Sequence, residues 1–166
     1  MDSFQQLKLD EMFFDADQLI AEKKFADAIN TLESILIEAP DYGKAYNHLG
    51  WIYETKYKDL QKAEDFYKKC VLYTPEYPAV YLNLAIVLSS QSKYDELEAH
   101  LNRALQVTGV DKASMYNEFG IMYELQGKFN QAIESYKSAI RNTLSDTTLE
   151  TYSKSIKRCK TKIEVL

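Results

Sequence analysis

Three stretches of the chain repeat one pattern of apolar and polar positions. YNHLGWIY (46–53), YLNLAIVL (81–88) and YNEFGIMY (116–123) each place an aromatic, a large apolar, a small and another large residue at i, i+3, i+4 and i+7. That spacing sets all four on one face of an α-helix. The small member recurs as Gly50, Ala85 and Gly120, at intervals of 35 residues. A second helical stripe follows each first one: Ala63, Tyr67 and Cys70, then Leu97, Leu101 and Ala104, then Ala132, Tyr136 and Ala139. Short polar turns (KYKDLQ, QSKYDE, QGKFNQ) separate the two stripes, and Pro75, Gly109 or the NTLSD of 142–146 ends each unit. A fixed period of this length marks an array of helix-turn-helix units.

Upstream, Phe25, Ala28, Leu32, Ile35 and Pro40 fit the second helix of a further unit. Its first helix is degenerate: Met12, Ala16 and Leu19 fit, and Asp15 stands where the other copies carry a large apolar residue. An end unit lacks one neighbour, so a departure from the pattern is expected there. Gly50 and Gly120 sit inside predicted helices, where each costs about 1 kcal/mol relative to Ala. That cost is repaid when a neighbouring helix approaches over the missing side chain and large residues such as Tyr53, Tyr67, Tyr123 and Tyr136 fill the space around it. Near the C-terminus, Leu149, Tyr152, Ile156, Cys159 and Ile163 form one more stripe, backed by Lys154, Lys157, Arg158, Lys160 and Lys162. The expected fold is therefore all-α. It is an α-solenoid of stacked antiparallel helix pairs, with about four repeats at 9–42, 43–77, 78–111 and 112–144. A capping helix at 146–164 presents its basic face to water, and residues 1–166 form one domain.

These residues resemble the tetratricopeptide repeat family, whose helix-turn-helix unit carries aromatic, Leu, Gly and Tyr on the first helix and Ala, aromatic and Ala on the second. The 116–144 unit matches through Tyr116, Phe119, Gly120, Tyr123, Gly127, Phe129, Ala132, Tyr136 and Ala139, with Leu144 in place of the closing Pro. The 46–75 unit matches through Pro75 with one extra residue in its turn, and the 81–109 unit departs at Leu88 and Leu97. The resemblance covers roughly residues 9–144. It implies a groove lined by the first helix of each repeat and filled by a peptide or helix of a partner protein.

Helical geometry selects the side chains that would face such a groove. One ladder is Phe13, Asn47, Leu82 and Asn117, and a second is Asp17, Trp51, Ile86 and Ile121, flanked by Lys44, with Asn83 and His48 at the edge. Trp51, the single Trp, would offer with Ile86 and Ile121 an apolar strip, and Asn47 and Asn117 would each offer a donor and an acceptor to a peptide backbone. The packing of such residues against a neighbouring repeat is the competing explanation. Family members that clamp the C-terminal carboxylates of chaperones place Lys, Asn, Asn, Lys and Arg on three first helices. Counted from the second repeat, the matching positions are Asn47, Trp51, Asn83, Ser114 and Glu118, of which only Asn83 agrees and no cation remains; counted from the first they are Phe13, Asp17, His48, Ala79 and Asn83, and none agrees. A ligand of that class is not expected.

The 166 residues carry 20 Lys+Arg against 25 Asp+Glu, a net charge of −5 that disfavours a nucleic-acid-tracking surface. The charge is uneven, at −7 over residues 1–42 and +3 over 149–166. No 18-residue apolar run exists, and the opening MDSFQQLKLDEMFF lacks the features of a leader, so neither a membrane span nor a signal peptide is expected. Cys70 and Cys159 form no metal-ligand spacing and suit a reducing, cytoplasmic setting. His48 and His100 head no catalytic or metal motif, and phosphate-binding and nucleophile-elbow motifs are absent. The carboxylate pairs Glu64–Asp65 and Asp95–Glu96 read as solvated.

The sequence thus predicts a non-catalytic module that binds a protein or peptide, without cofactor or metal. One alternative is a holder of a partner protein, like the secretion chaperones of similar size and repeat count. Another is a weakly self-associating scaffold, in which the acidic N-terminal part meets the basic C-terminal helix of a second copy.

Overall fold

The computed structural model describes residues 3–165, and no strand occurs among them. The all-α expectation is borne out as a succession of helix pairs that falls into two compact units, dividing between Leu84 and Ala85.

The first unit holds α1 (Ser3–Ala21), α2 (Phe25–Glu38), α3 (Gly43–Ile52), α4 (Leu60–Tyr73) and the start of α5 (Ala79–Ser90). Helix α1 pairs with α2 and α3 with α4, while α2 also packs on α3. Its core gathers Leu9 and Ala16 of α1, Ala28, Leu32 and Ile35 of α2, and Leu49 and Ile52 of α3, all fully buried. Gly50 lies under the ring of Tyr67, where a Cβ would come within 2.5 Å of Cε1. The Tyr46 hydroxyl donates to the Pro40 carbonyl at 2.9 Å, and that of Tyr81 to the Pro75 carbonyl at 2.6 Å. Each closing Pro thus receives the tyrosine that opens the next helix.

The second unit holds the rest of α5, then α6 (Tyr94–Ala104), α7 (Lys112–Leu125), α8 (Phe129–Arg141) and α9 (Asp146–Glu164). Helix α7 packs on α6 and α8, and α8 packs on α9. Gly120 repeats the Gly50 arrangement, with the Tyr136 ring occupying the place of its Cβ. Ala132, Ile133, Tyr136 and Cys159 close one part of the core, and Ala113, Ala139 and Tyr152 another.

The turn inside each helix pair uses one device. Lys23, Ser92 and Gly127 adopt positive φ (62°, 57° and 73°), and the next amide donates five residues back: Lys24 to Leu19, Lys93 to Leu88 and Lys128 to Tyr123. These are the left-handed helix ends that Gly serves at least cost. The extra residue of the 46–75 unit is absorbed by a π-helical turn, Tyr53–Tyr57, after which Lys58 takes φ 57° and the Asp59 amide reaches six residues back to Tyr53. A single-residue insertion commonly takes this form inside a helix.

The basic face assigned to α9 is only partly given to water. Arg158 Nε and Lys162 Nζ bond Glu124 Oε1 at 2.7 and 2.8 Å, while Lys154 pairs with Glu150 on its own helix. Glu64 also departs from its solvated reading: it is 1% exposed and pairs with Lys68 at 2.6 Å.

Candidate functional site

In the first unit, α1 and α3 bring Asp17, Ile20, Asn47, His48 and Trp51 around an open hollow of about 260 Å³. Trp51 is half-buried against the core, and the Lys56 ammonium stands 5.4 Å from its ring centroid and 4.9 Å from that of Phe25. His48 joins the two helices: Nε2 lies 2.7 Å from Asp17 Oδ1, Nδ1 lies 3.1 Å from the Lys44 carbonyl, and Phe13 meets the ring edge-on at 4.5 Å. The predicted residues Phe13, Asp17, Asn47 and Trp51 are therefore brought together, with His48 as their centre.

Asn47 differs from its expected role. It is 6% exposed, and its Oδ1 accepts from Asn83 Nδ2 at 3.0 Å, so its acceptor ties α3 to α5. Leu82 is half-buried on α5. Lys44 is exposed and faces a second hollow, of about 290 Å³, shared with Gln6, Asp10, Tyr42 and Glu76. There the Tyr42 hydroxyl donates to Asp10 Oδ1 at 2.7 Å, and burial together with that bond holds its phenol well above the ordinary range. Ile20 joins the site although it was not singled out in the sequence; its place seven residues after Phe13 on α1 was the available signal.

In the second unit the ladder residues separate. Ile86 is 39% exposed, as a contact residue requires. Ile121 instead packs on Ala132, Ile133, Tyr136 and Cys159, where the competing packing explanation applies. Asn117 is half-buried and donates to Glu118 Oε1 at 3.4 Å. Burial raises the Glu118 carboxyl above its ordinary value, and the Asn117 bond opposes that shift. Glu124 goes the other way. Its bonds to Arg158, Lys162 and Tyr136 outweigh its desolvation and bring it down to about 2.

Among the described residues no group of three or more His, Cys, Asp or Glu is placed to hold a metal ion. Both thiols are buried, which pushes Cys70 up to about 12 and Cys159 up to about 11. Neither therefore offers a thiolate nucleophile. No described helix is long and apolar enough to cross a membrane.

Sequence models of the tetratricopeptide repeat match residues 43–77 and 76–145. The chain belongs to the tetratricopeptide repeat family. Solved tetratricopeptide repeat structures share its fold. YrrB, described as having an unusual peptide-binding site, superposes with a TM-score of 0.74 at 16% identity, covering 92% of this chain and 76% of YrrB. PilF of Pseudomonas aeruginosa gives 0.76 at 16% identity, with coverages of 95% and 78%. MamA gives 0.70 at 20% identity, with coverages of 90% and 94%. No curated protein matches the chain in sequence. Within the tetratricopeptide repeat pattern, Gly50 with Tyr67 and Gly120 with Tyr136 are packing pairs, whereas His48, Asp17 and Trp51 lie outside it and belong to this chain.

Proposed function

We propose that the chain is a non-catalytic protein-interaction module that receives a peptide or helix of a partner protein at the hollow between α1 and α3. The observation that carries this reading is the juxtaposition of Trp51, an amphipathic anchor, with the Asp17–His48 pair around one opening. Trp51 and Ile20 bury an apolar side chain of the ligand. The exposed Asp17 carboxylate accepts from a ligand N–H or cation, and this fixes its orientation. The hydrogen-bonded Asn47–Asn83 pair keeps the floor preformed, so little ordering cost falls on the receptor. The likeness to YrrB supports the reading at the level of the fold.

The lone Trp supplies the test. Peptides selected from a random library on the full chain should change Trp51 emission on binding. Asp17→Ala, an exposed change that spares the core, should weaken them about tenfold, roughly 1.4 kcal/mol. Selected peptides that leave Trp51 emission unmoved and bind Asp17→Ala and Trp51→Ala as tightly as the parent would place the site elsewhere.

A further inference from the structure

Helix α1 is apolar on two opposite faces. Leu9 and Ala16 enter the core of the first unit, with Met12, Phe13 and Ile20 packed beside them. On the other side Phe4, Leu7 and Phe14 are 79%, 57% and 60% exposed. Together with Glu11 and Gln18 they follow the 3, 4, 3, 4 spacing of a helix-packing seam. The fold of the unit uses the first face and leaves the second to solvent. Three large apolar side chains aligned on one exposed helix face mark an interaction surface rather than scattered surface residues.

The charges along this stripe select its partner. Asp10 accepts from Tyr42, Asp17 faces His48, and Lys8 pairs with Glu38 at 2.8 Å. Glu11, between Leu7 and Phe14, and the adjoining Asp15 are exposed. The stripe is apolar with an acidic centre.

Helix α9 carries the complement. Leu149 and Ile163 are 43% and 41% exposed, Ile156 is half-buried between them, and Lys160 and the flanking Lys157 are exposed. Arg158 and Lys162 are engaged with Glu124, and Lys154 with Glu150. The two helices share one spacing with opposite charge at its centre: Leu7-x3-Glu11-x2-Phe14 on α1 and Ile156-x3-Lys160-x2-Ile163 on α9.

We propose that the outer stripe of α1 in one copy docks on the Leu149–Ile156–Ile163 edge of α9 in a second copy, with Glu11 and Asp15 against Lys157 and Lys160. Pairing α1 with another α1 would set these acids against each other, and pairing α9 with α9 would do the same to the lysines, so only the mixed pair is favoured by sign. A contact between two different surfaces is heterologous and joins copies head to tail, into open rows or closed rings. The surface is small, which makes the association weak, and its charged part is screened as the Debye length falls from about 10 Å at 0.1 M salt to about 3 Å at 1 M. This surface is separate from the hollow around Trp51, and either can fail without the other.

Sedimentation velocity of the full chain tests the proposal. At low salt the weight-average mass should rise with concentration above the 19.2 kDa of one chain, and it should fall back toward that value in 1 M salt. Leu7→Ser with Phe14→Ser, and separately Lys157→Glu with Lys160→Glu, should each hold the chain at one copy while far-UV circular dichroism stays helical. Mixing these two disabled variants should give a one-to-one dimer and nothing larger, because each retains one half of the contact. Combining Glu11→Lys and Asp15→Lys with the α9 reversals should restore association. A chain that stays single at low salt and high concentration, or an oligomer indifferent to salt and to the α9 reversals, would overturn the proposal. The second outcome would point to α1 pairing with α1.

Discussion

The hydroxyl of Tyr136 donates to Glu124 Oε2 at 2.9 Å from a ring that lies over Gly120, and Tyr67 repeats the arrangement over Gly50 with a 2.7 Å bond to Glu54. A tyrosine on the second helix of a pair is thus held flat by the absence of one side chain and anchored at its tip by a carboxylate four residues further along. Gly50→Ala and Gly120→Ala should each destabilise the fold. The added methyl meets a fully buried ring that cannot swing away, and overpacking costs about 1–3 kcal/mol, which exceeds the ~1 kcal/mol gained in helix propensity. Urea unfolding of Gly120→Ala, and of the double variant with Tyr136→Leu, checks this. The smaller partner should recover most of the loss.

Glu124 receives Tyr136, Arg158 and Lys162 together, and its carboxyl is lowered from 4.5 to about 2, chiefly by Arg158. A carboxyl lowered on folding stabilises the protein above its unfolded value. That stabilisation fades as pH falls from about 4.5 through about 2. Glu124→Gln should cost about 1–2 kcal/mol near neutral pH, discounted because Arg158 is half-exposed. The variant should also lose less stability than the parent between pH 5 and about 2, and thermal melts across that range read both effects.

Three of the left-handed turn positions carry Lys23, Lys58 and Ser92 where Gly127 serves without penalty. A non-glycine residue there costs roughly 1 kcal/mol, part of which glycine gives back through the greater freedom of the unfolded chain. Ser92→Gly should therefore stabilise by about 0.5 kcal/mol and Gly127→Ala should destabilise by about 1 kcal/mol, opposite signs from mirror-image changes. Denaturant midpoints at unchanged slope would record them.

Asp59 caps α4 by accepting from the Lys62 amide at 3.0 Å. Asp59→Ala should cost about 1 kcal/mol, and Asp59→Asn much less, because the amide oxygen can take the same bond. Hydrogen exchange should place the loss in the first turn of α4.

The helix pairs and their packing were legible because the period of 35 residues and the alternation of small and large residues state them directly, and Gly50, Tyr67, Gly120 and Tyr136 sit as the pattern requires. The site was legible in part. Phe13, Asp17, Asn47 and Trp51 do converge, since helix phase alone brings them to one side. That Asn47 Oδ1 accepts from Asn83 Nδ2, that Ile121 enters the α8–α9 core and that Arg158 and Lys162 turn to Glu124 depend on distances between helices. Periodicity within one helix carries no information about them. The second apolar face of α1 was present in the letters as Phe4, Leu7 and Phe14, but its residues alternate along the sequence with those of the opposite, core-facing stripe, which blurred the register of that helix.

The π-helical turn at Tyr53–Tyr57 takes in a surplus residue, yet Tyr67 still lies over Gly50 as Tyr136 lies over Gly120. That corner therefore works as an expansion joint: length added there is consumed on the spot, and the phase of everything downstream is preserved. A probe residue introduced beside Thr55 or Lys56, such as a cysteine for labelling, should be accommodated by the same local rewinding, which makes the corner a practical handle for attaching reporters.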